Sequence, residues 1–249
     1  MSFYFYTFLF LFLFSYTITY SLVEKLVTKK MYSKKLPRYF PITPKNTIIT
    51  FDLHDVIVHY NYSEIAKTFF KSKGKLGLII AMLNPLIWWN IIKLTWQDSV
   101  AEQYIVGLGE KYPSLKPYVP LGIRIANCQK PDPEMLAFIK ELKNKGYTLH
   151  LFSNIGAEIF EQFGVKFPEI IKYFDMVSIP SKQNGYLKKP YGKAFAHYLE
   201  KLKGDERQVL FVDDKQKNIQ KAYSYGIIGI HFSSLSKLKQ ALGKMGLES

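Results

Sequence analysis

The chain has 249 residues, enough for one sizeable domain and an additional segment. Hydrophobic residues make up 48% and charged residues 22%, which is the composition of a globular protein, and the single cysteine, Cys128, excludes an intrachain disulfide. The net charge of +14 suits nucleic acid, anionic lipid or phosphorylated small molecules and does not choose among them.

The N-terminal segment is strongly apolar. Residues 3–22 carry no charge and span about 30 Å as a helix, the thickness of a membrane's hydrocarbon layer. Residues 1–22 are therefore predicted to be a membrane anchor or a signal peptide, and residues 23–45 a basic linker. A retained anchor would leave the following domain in the cytoplasm, since positive charges follow the apolar run; cleavage would instead export the domain.

Strands and helices are predicted to alternate through the rest of the chain. Short apolar runs predict buried strands at 47–52, 147–152, 208–212 and 227–232. Helical patterns cover 134–145, 192–203 and 216–225, and a long, mainly helical region runs from about 63 to 116. This order predicts an α/β fold with a Rossmann-like parallel sheet and helices on both faces. Its ligand site is expected at the carboxyl ends of the strands.

Residues 76–96 form a second apolar stretch, which contains all three tryptophans, Trp88, Trp89 and Trp96. Pro85 interrupts it, so two short helices are expected rather than one membrane span. The stretch would either form the hydrophobic interior of the helical region or touch a membrane surface, where tryptophan is common.

Polar side chains follow three of the predicted strands. Asp52, His54 and Asp55 follow the first, Ser153 and Asn154 the second, and Asp213 and Asp214 the third, while Lys189 stands between the last two groups. Carboxylates from two strands can hold Mg²⁺. A hydroxyl, backbone amides and a lysine can bind a phosphate, and a carboxylate can attack phosphorus.

These groups resemble, in order and spacing, the four motifs of the haloacid dehalogenase (HAD) superfamily. The motifs read TIITFDLHDVIV, LHLFSN, LKKPYGKAF and VLFVDDKQKN, and the resemblance spans about residues 46–235. It implies a core of residues 46–59 and 131–249, and a helical cap of residues 60–130. It also implies Asp52 as nucleophile, Ser153, Asn154 and Lys189 as phosphate ligands, and Mg²⁺ held by Asp52, Asp213, Asp214 and the backbone carbonyl of His54.

The first motif departs from the family pattern at His54. Phosphatases of the family have there an aspartate that protonates the leaving oxygen and then activates water. Histidine can transfer protons near neutral pH, so His54 is a candidate acid and base. Asp55, one residue further on, would point the other way in a continuing strand.

The leading hypothesis is thus a phosphatase of a small phosphorylated molecule. A catalytically impaired domain that binds or scaffolds at a membrane is the alternative raised by His54. A hydrolase acting at carbon is a third possibility, against which the Asp213–Asp214 pair argues. Nucleic-acid binding is not expected, because no recognition motif is present and residues 23–45 account for +6 of the net charge.

Overall fold

The computed structural model describes residues 41–87, 89 and 101–247. The predicted N-terminal segment, most of the predicted linker, and Trp88 and Trp96 lie outside these residues. Among the helices that are described, none is both long enough and apolar enough to cross a membrane.

The strands lie close to their predicted positions. In chain order they are β1 (Thr47–Phe51), β2 (Val58–Tyr60), β3 (Gln129–Pro131), β4 (Thr148–Phe152), β5 (Met176–Ser178), β6 (Gln208–Asp213) and β7 (Ile228–His231). Five of them form a parallel sheet in the order β5-β4-β1-β6-β7. The other two, β2 and β3, pair antiparallel. The predicted parallel sheet is confirmed, with β5 as an edge strand that the apolar pattern did not reveal.

Helices occupy the connections between the strands. They are α1 (Tyr62–Lys71), α2 (Lys75–Met82), α3 (Ala101–Lys111), α4 (Val119–Ala126), α5 (Pro133–Asn144), α6 (Ala157–Lys166), α7 (Pro168–Ile171), α8 (Gly192–Glu200), α9 (Gln216–Tyr223) and α10 (Leu235–Lys244). A 3₁₀ helix, Pro113–Tyr118, stands between α3 and α4, and a shorter one covers Lys182–Asn184. Helix α8 ends three residues earlier, and α9 two residues earlier, than the sequence pattern predicted.

The sheet is covered on both faces. Side chains alternate along each strand, so Phe51 and Leu151 belong to one buried cluster, while Phe152 and Phe211 belong to another. Helices α5, α6 and α10 pack in the first cluster, and α8 and α9 in the second. This arrangement confirms the prediction of helices on both faces.

Helix α5 shows how the sequence determines a local element. The side chain of Asp132 caps it by accepting hydrogen bonds from the backbone N–H groups of Glu134 and Met135, and Pro133 fits the first turn. Gly146 follows its end with a φ of 85°, a conformation that glycine adopts without strain.

The helical region is inserted between β1 and β4. Strands β2 and β3 form its base, with Val58 opposite Pro131 and Tyr60 opposite Gln129. Helices α1 to α4 lie between these two strands. Helix α2 ends before Pro85, as the prediction of an interrupted apolar stretch requires. Residues 60–130 are called the helical insertion below.

Candidate active site

Neighbouring strands bring the predicted polar residues to one edge of the sheet. Asp52 follows β1, Ser153 follows β4 and Asp213 is the last residue of β6, and β1 pairs with both β4 and β6. Because the three strands are parallel, their carboxyl ends lie side by side. Residues separated by up to 161 positions in the chain are thereby collected at a single site.

Three carboxylates form a compact cluster. Asp52, Asp213 and Asp214 each place one oxygen so that all three oxygens lie within 4.8 Å of one another. Burial, followed by repulsion from Asp52 and Asp213, raises the pKa of Asp214 to about 7. Its buried Oδ1 has no hydrogen-bond partner among the described residues. Oxygen donors of this kind fit a divalent cation, whose charge would also relieve the repulsion between the acids.

Lys189 lies beneath the cluster. Its side chain is fully buried, and its Nζ lies 2.6 Å from Asp213 Oδ2 and 3.1 Å from Asp52 Oδ1. The rings of Phe152 and Phe211 have their centroids 5.2 Å and 4.9 Å from Nζ. A buried ammonium held by two carboxylates and two aromatic faces is fixed in position and balances part of the acidic charge.

Two asparagines support these charged groups. The side chain of Asn154 donates to the backbone carbonyl of Lys189 and accepts from its N–H, both at 2.8 Å. Asn218 donates to both oxygens of Asp213 at 2.9 Å. Asn154, predicted as a phosphate ligand, thus uses its amide to hold the lysine-bearing loop. Asp213 has both oxygens engaged, whereas Asp214 retains an oxygen without a protein partner.

The carboxylate of Asp52 is kept ionised. Burial raises its pKa, but the charges of Lys189 and Lys215 and a hydrogen bond from the backbone N–H of Leu53 together lower that pKa below its usual value. The Leu53 N–H donates to Oδ1 at 2.7 Å, the same oxygen that Lys189 approaches. An ionised, buried carboxylate with one anchored oxygen is suited to nucleophilic attack.

His54 lies at the same site. Its ring stacks on Tyr60 with centroids 5.4 Å apart, and its Nε2 is 3.5 Å from the amide nitrogen of Gln129. The buried Nδ1 has no partner among the described residues. Burial lowers the pKa of the ring despite the attraction of Asp52 and Asp55, so the neutral ring is favoured.

The backbone at Asp55 does not continue the extended conformation of the strand. Strand β1 ends at Phe51, and Asp55 adopts a left-handed backbone conformation with a φ of 58°. Its side chain is exposed, and one oxygen lies 3.3 Å from Nδ1 of His59. The direction of the Asp55 side chain is therefore set by this left-handed turn rather than by strand alternation, and the expectation that it does not replace the missing acid stays a prediction.

A cavity of about 180 Å³ opens above these residues. Its polar wall is formed by the core: Asp52, His54, Asp55, Ser153, Asn154 and Lys215. Its less polar wall is formed partly by the core and partly by the helical insertion: Tyr60, Ala101, Ala126, Ile155 and Ile159. The cavity can accept a molecule with a polar group at Asp52 and an apolar group under the insertion.

Several of these residues were not predicted from sequence. Lys215 follows the paired acids directly and stands immediately before α9, so its position after Asp214 was a usable signal. Tyr60, Ala101 and Gln129 carried no such signal. They reach the site only because β2, β3 and α3 fold back over the sheet edge.

Comparison with known proteins gives three kinds of match. A family model described as haloacid dehalogenase-like hydrolase matches residues 47–222. The curated sesquiterpene phosphatase astK of Aspergillus oryzae is 28% identical over 120 residues, which are 47% of this chain and 60% of that protein. The matched part is thus less than two thirds of the relative's length.

Solved structures share the fold at low sequence identity. The HAD family enzyme bt-2542 from Bacteroides thetaiotaomicron superposes with a TM-score of 0.56 and 18% identity, over 80% of this chain and 99% of that one. The putative HAD-hydrolase YfnB from Bacillus subtilis, bound to magnesium, gives 0.55 and 14% over the same shares. The L-2-haloacid dehalogenase from Xanthobacter autotrophicus gives 0.51 and 15%, over 82% and 83%. These likenesses establish the fold.

Proposed function

The chain belongs to the haloacid dehalogenase-like hydrolases, and we propose that within this family it is a magnesium-dependent phosphatase in which Asp52 forms an aspartyl-phosphate. The observation that carries the proposal is the cluster of Asp52, Asp213 and Asp214, the first two of which are paired with the ammonium of Lys189. Members of the family that act at carbon need no divalent cation. The buried, unpartnered oxygen of Asp214 beside Asp52 favours phosphate chemistry.

The reaction has two steps. An oxygen of Asp52 attacks phosphorus, the bond from phosphorus to the ester oxygen breaks, and the departing alcohol takes a proton from the imidazolium form of His54, the less populated form of this ring. Water then attacks the same phosphorus and gives a proton to His54, which releases inorganic phosphate and restores the Asp52 carboxylate. Both Lys189 and the Leu53 N–H approach Oδ1 of Asp52, so Oδ2 is the oxygen expected to attack.

The surrounding groups would hold the phosphate. Ser153 and Asn154 line the cavity, and the Ser153 hydroxyl and the backbone N–H groups of this loop can donate to phosphate oxygens. The N–H groups of Glu158 and Ile159, in the first turn of α6, are already bonded to Glu102. Mg²⁺ would be held by Asp52, Asp214 and the carbonyl of His54, with Asp213 in support, and would supply positive charge that offsets that of the phosphate.

The substrate is proposed to be a small phosphate ester of an apolar alcohol. The curated relative is named for sesquiterpene phosphates, which are of this type. The cavity supports the same class independently, because Ala101, Ala126, Ile155 and Ile159 line it together with the polar residues. An alkyl group packed against these side chains would leave water, while the phosphate remains at Asp52.

A chain-length series tests both parts of the proposal. Full-length protein with Mg²⁺ is assayed for phosphate release from linear alkyl phosphates of increasing length. We expect kcat/KM to rise about threefold to fourfold per methylene until the cavity is filled. Matched esters of equal length that end in a hydroxyl group serve as controls and should gain much less.

The two parts can fail separately. Equal kcat/KM values along the series would contradict the apolar substrate class and leave the phosphatase intact. No release from any ester, including nitrophenyl phosphate, would contradict the phosphatase itself. Full activity in excess chelator would contradict the requirement for Mg²⁺.

A further inference from the structure

Helix α2 carries an apolar stripe that faces solvent. Its residues follow the spacing i, i+3, i+4, i+7, which places them on one side of the helix: Leu76, Ile79, Ile80 and Leu83. Their exposed fractions are 67%, 38%, 59% and 68%. The comparable stripe of α5 is buried in the core. We call these four residues the α2 stripe.

The opposite side of α2 is already packed. A Cβ atom at Gly77 would clash with the hydroxyl oxygen of Tyr118, so this side of the helix lies directly against the 3₁₀ helix Pro113–Tyr118. The stripe therefore faces away from the neighbouring 3₁₀ helix, as far as the described part of the insertion shows. It continues into Leu86 and Trp89, which are 63% and 64% exposed. An apolar surface of this extent is typical of a binding surface.

All the charged residues in the chain around the stripe are basic. Residues 65–97 contain no acid and have five lysines: Lys67, Lys71, Lys73, Lys75 and Lys93. The side chains of Lys67, Lys71 and Lys73 are exposed, and the last two immediately precede α2. Apolar side chains flanked by lysines, together with tryptophan, form the pattern of a surface that lies in a lipid interface.

We propose that the α2 stripe, with Leu86 and Trp89, docks on the surface of an anionic lipid bilayer. The lysines complement negative lipid headgroups, and the stripe enters the boundary between headgroups and acyl chains. A second copy of the chain fits less well, because a symmetric contact would bring two sets of lysines together. Helix α2 has eight residues, about 12 Å of helix, so it lies on a membrane and does not span it. The proposal does not depend on phosphatase activity.

Intrinsic fluorescence provides a specific readout. All three tryptophans lie within residues 88–96, so the tryptophan emission of the full-length protein reports on this segment alone. The protein is mixed with vesicles of phosphatidylcholine containing phosphatidylserine, with and without brominated acyl chains. We expect a blue shift of emission and quenching by the brominated lipid, both weaker on pure phosphatidylcholine. Attachment through the N-terminal segment alone would leave the exposed indole of Trp89 in water.

Two variants separate the apolar and the basic contributions. Ile80→Ser with Leu83→Ser should abolish quenching, and both sites are exposed, so the fold is retained. Lys71→Glu with Lys73→Glu should weaken vesicle binding by about fivefold for each lysine, or more. The matched controls lie elsewhere on the surface: Val165→Ser, which changes an 81% exposed side chain, and Lys193→Glu with Lys201→Glu on and just after α8. Neither control should change the response.

The other outcomes contradict the proposal. Unchanged quenching in the stripe variant would mean that a different segment carries the tryptophans into the lipid. A blue shift that depends on protein concentration without vesicles, with dimers in sedimentation equilibrium, would identify a second copy as the partner. Emission that is already blue-shifted and does not respond to vesicles would mean that the chain itself covers the stripe.

Discussion

Asp52 combines burial with ionisation, and the proposed chemistry depends on that combination. Asp52→Asn keeps the shape of the side chain but removes the negative charge that attacks phosphorus. We expect phosphatase turnover to fall by several orders of magnitude while the melting temperature changes little, because Lys189 remains paired with Asp213. The rate and the thermal unfolding curve are measured on the same preparation.

The control for this variant is Asp132→Asn. Asp132 caps α5 outside the cavity, and asparagine caps a helix as well as aspartate does. Its activity should match that of the parent. A near-parental rate in Asp52→Asn would show that Asp52 is not the nucleophile.

The contribution of His54 to the rate should depend on how much the leaving group needs a proton. An alkyl alcohol needs a proton as it departs, whereas nitrophenolate needs little help. If His54 supplies that proton, His54→Ala should lose about 10²–10⁴-fold on alkyl phosphates and far less on nitrophenyl phosphate. His54→Asp should restore or raise activity, since it recreates the pair of acids found in the family.

His59→Ala is the matched control for His54. His59 lies in β2, half-exposed and near Asp55 and Asp132, and does not line the cavity. It should leave both rates unchanged. Equal losses of rate on the two ester types in His54→Ala would mean that His54 does not transfer the proton to the leaving group. An inactive parent with an active His54→Asp would favour an impaired member of the family that binds rather than hydrolyses.

The sequence indicated the residues of the site better than it indicated their contacts. Asp52, Lys189 and Asp213 follow motif spacing, so their proximity could be predicted once a parallel sheet was assumed. Asn154 was predicted as a phosphate ligand, which stays a prediction, but nothing in the sequence indicated that its side-chain amide holds the backbone of Lys189. The neighbour of His54, Gln129, is 75 residues away on the far side of the insertion, and no local pattern connects the two.

Strand β4 contains a buried histidine whose protonation opposes folding. The His150 ring is buried, its Nδ1 lies 3.0 Å from the hydroxyl of Tyr198, and burial lowers its pKa to about 4. In the unfolded chain the ring has an ordinary pKa near 6.5, so below that pH the unfolded state gains a proton that the folded state does not take up. The contribution to stability is complete above pH 6.5 and is lost as the pH falls towards 4.

This linkage predicts a loss of about 2–3 kcal/mol from His150 between pH 7 and pH 4.5. Urea unfolding of the parent and of His150→Gln at both pH values measures it: the variant should lose that much less on acidification. His197→Gln, on the half-buried part of α8, is the control and should keep the parental difference. The same acid sensitivity in His150→Gln would show that other groups cause it.

A contact between α3 and α6 connects the helical insertion to the core. Oε2 of Glu102 accepts hydrogen bonds from the N–H groups of Glu158 (2.8 Å) and Ile159 (3.3 Å) in the first turn of α6. Gly156 precedes that turn and offers no side-chain cap, and a Cβ atom there would clash with Oε2 of Glu102. A carboxylate from the insertion thus caps a helix of the core.

Glu102→Ala should cost about 1 kcal/mol of stability and speed hydrogen exchange at the amides of Glu158 and Ile159. Gly156→Ala should have a similar effect, because the added methyl group displaces the carboxylate. The double variant should then be little worse than either single one. Strictly additive losses would mean that the two residues act independently.

At the level of elements, the sequence predicted long and regular segments and missed short ones. The four predicted strands have four to six residues with continuous apolar character, whereas β2, β3 and β5 have three each. Three residues carry too little pattern to be recognised, and these strands exist because a neighbouring strand offers hydrogen bonds. The base of the insertion, formed by β2 and β3, therefore could not be predicted from the sequence.

For the whole molecule, the predicted parallel sheet with a helical insertion is confirmed, while the N-terminal predictions remain predictions. Residues 1–22 as an anchor or signal, and the cytoplasmic or exported position of the domain, fall outside the described residues. The exposure of the α2 stripe could not be read from sequence either. Its helical spacing is the same as that of the buried stripe of α5, and only packing distinguishes them.

Metal binding should stabilise the whole fold. Three carboxylates within 4.8 Å repel one another, and a cation that binds only the folded state adds about 2.7 kcal/mol at a hundred times its Kd. For a domain of this size, we expect Mg²⁺ to raise the melting temperature of chelator-treated protein by roughly 5–10 °C.

Asp214→Asn tests which residue holds the ion. It removes a half-buried carboxylate whose buried Oδ1 has no partner among the described residues, so without metal the variant should melt above the parent. It should also lose the Mg²⁺ response, which Asp132→Asn should keep. A full response in Asp214→Asn would place the ion elsewhere, and a parental melting temperature without metal would mean that the acids are already neutralised by protons.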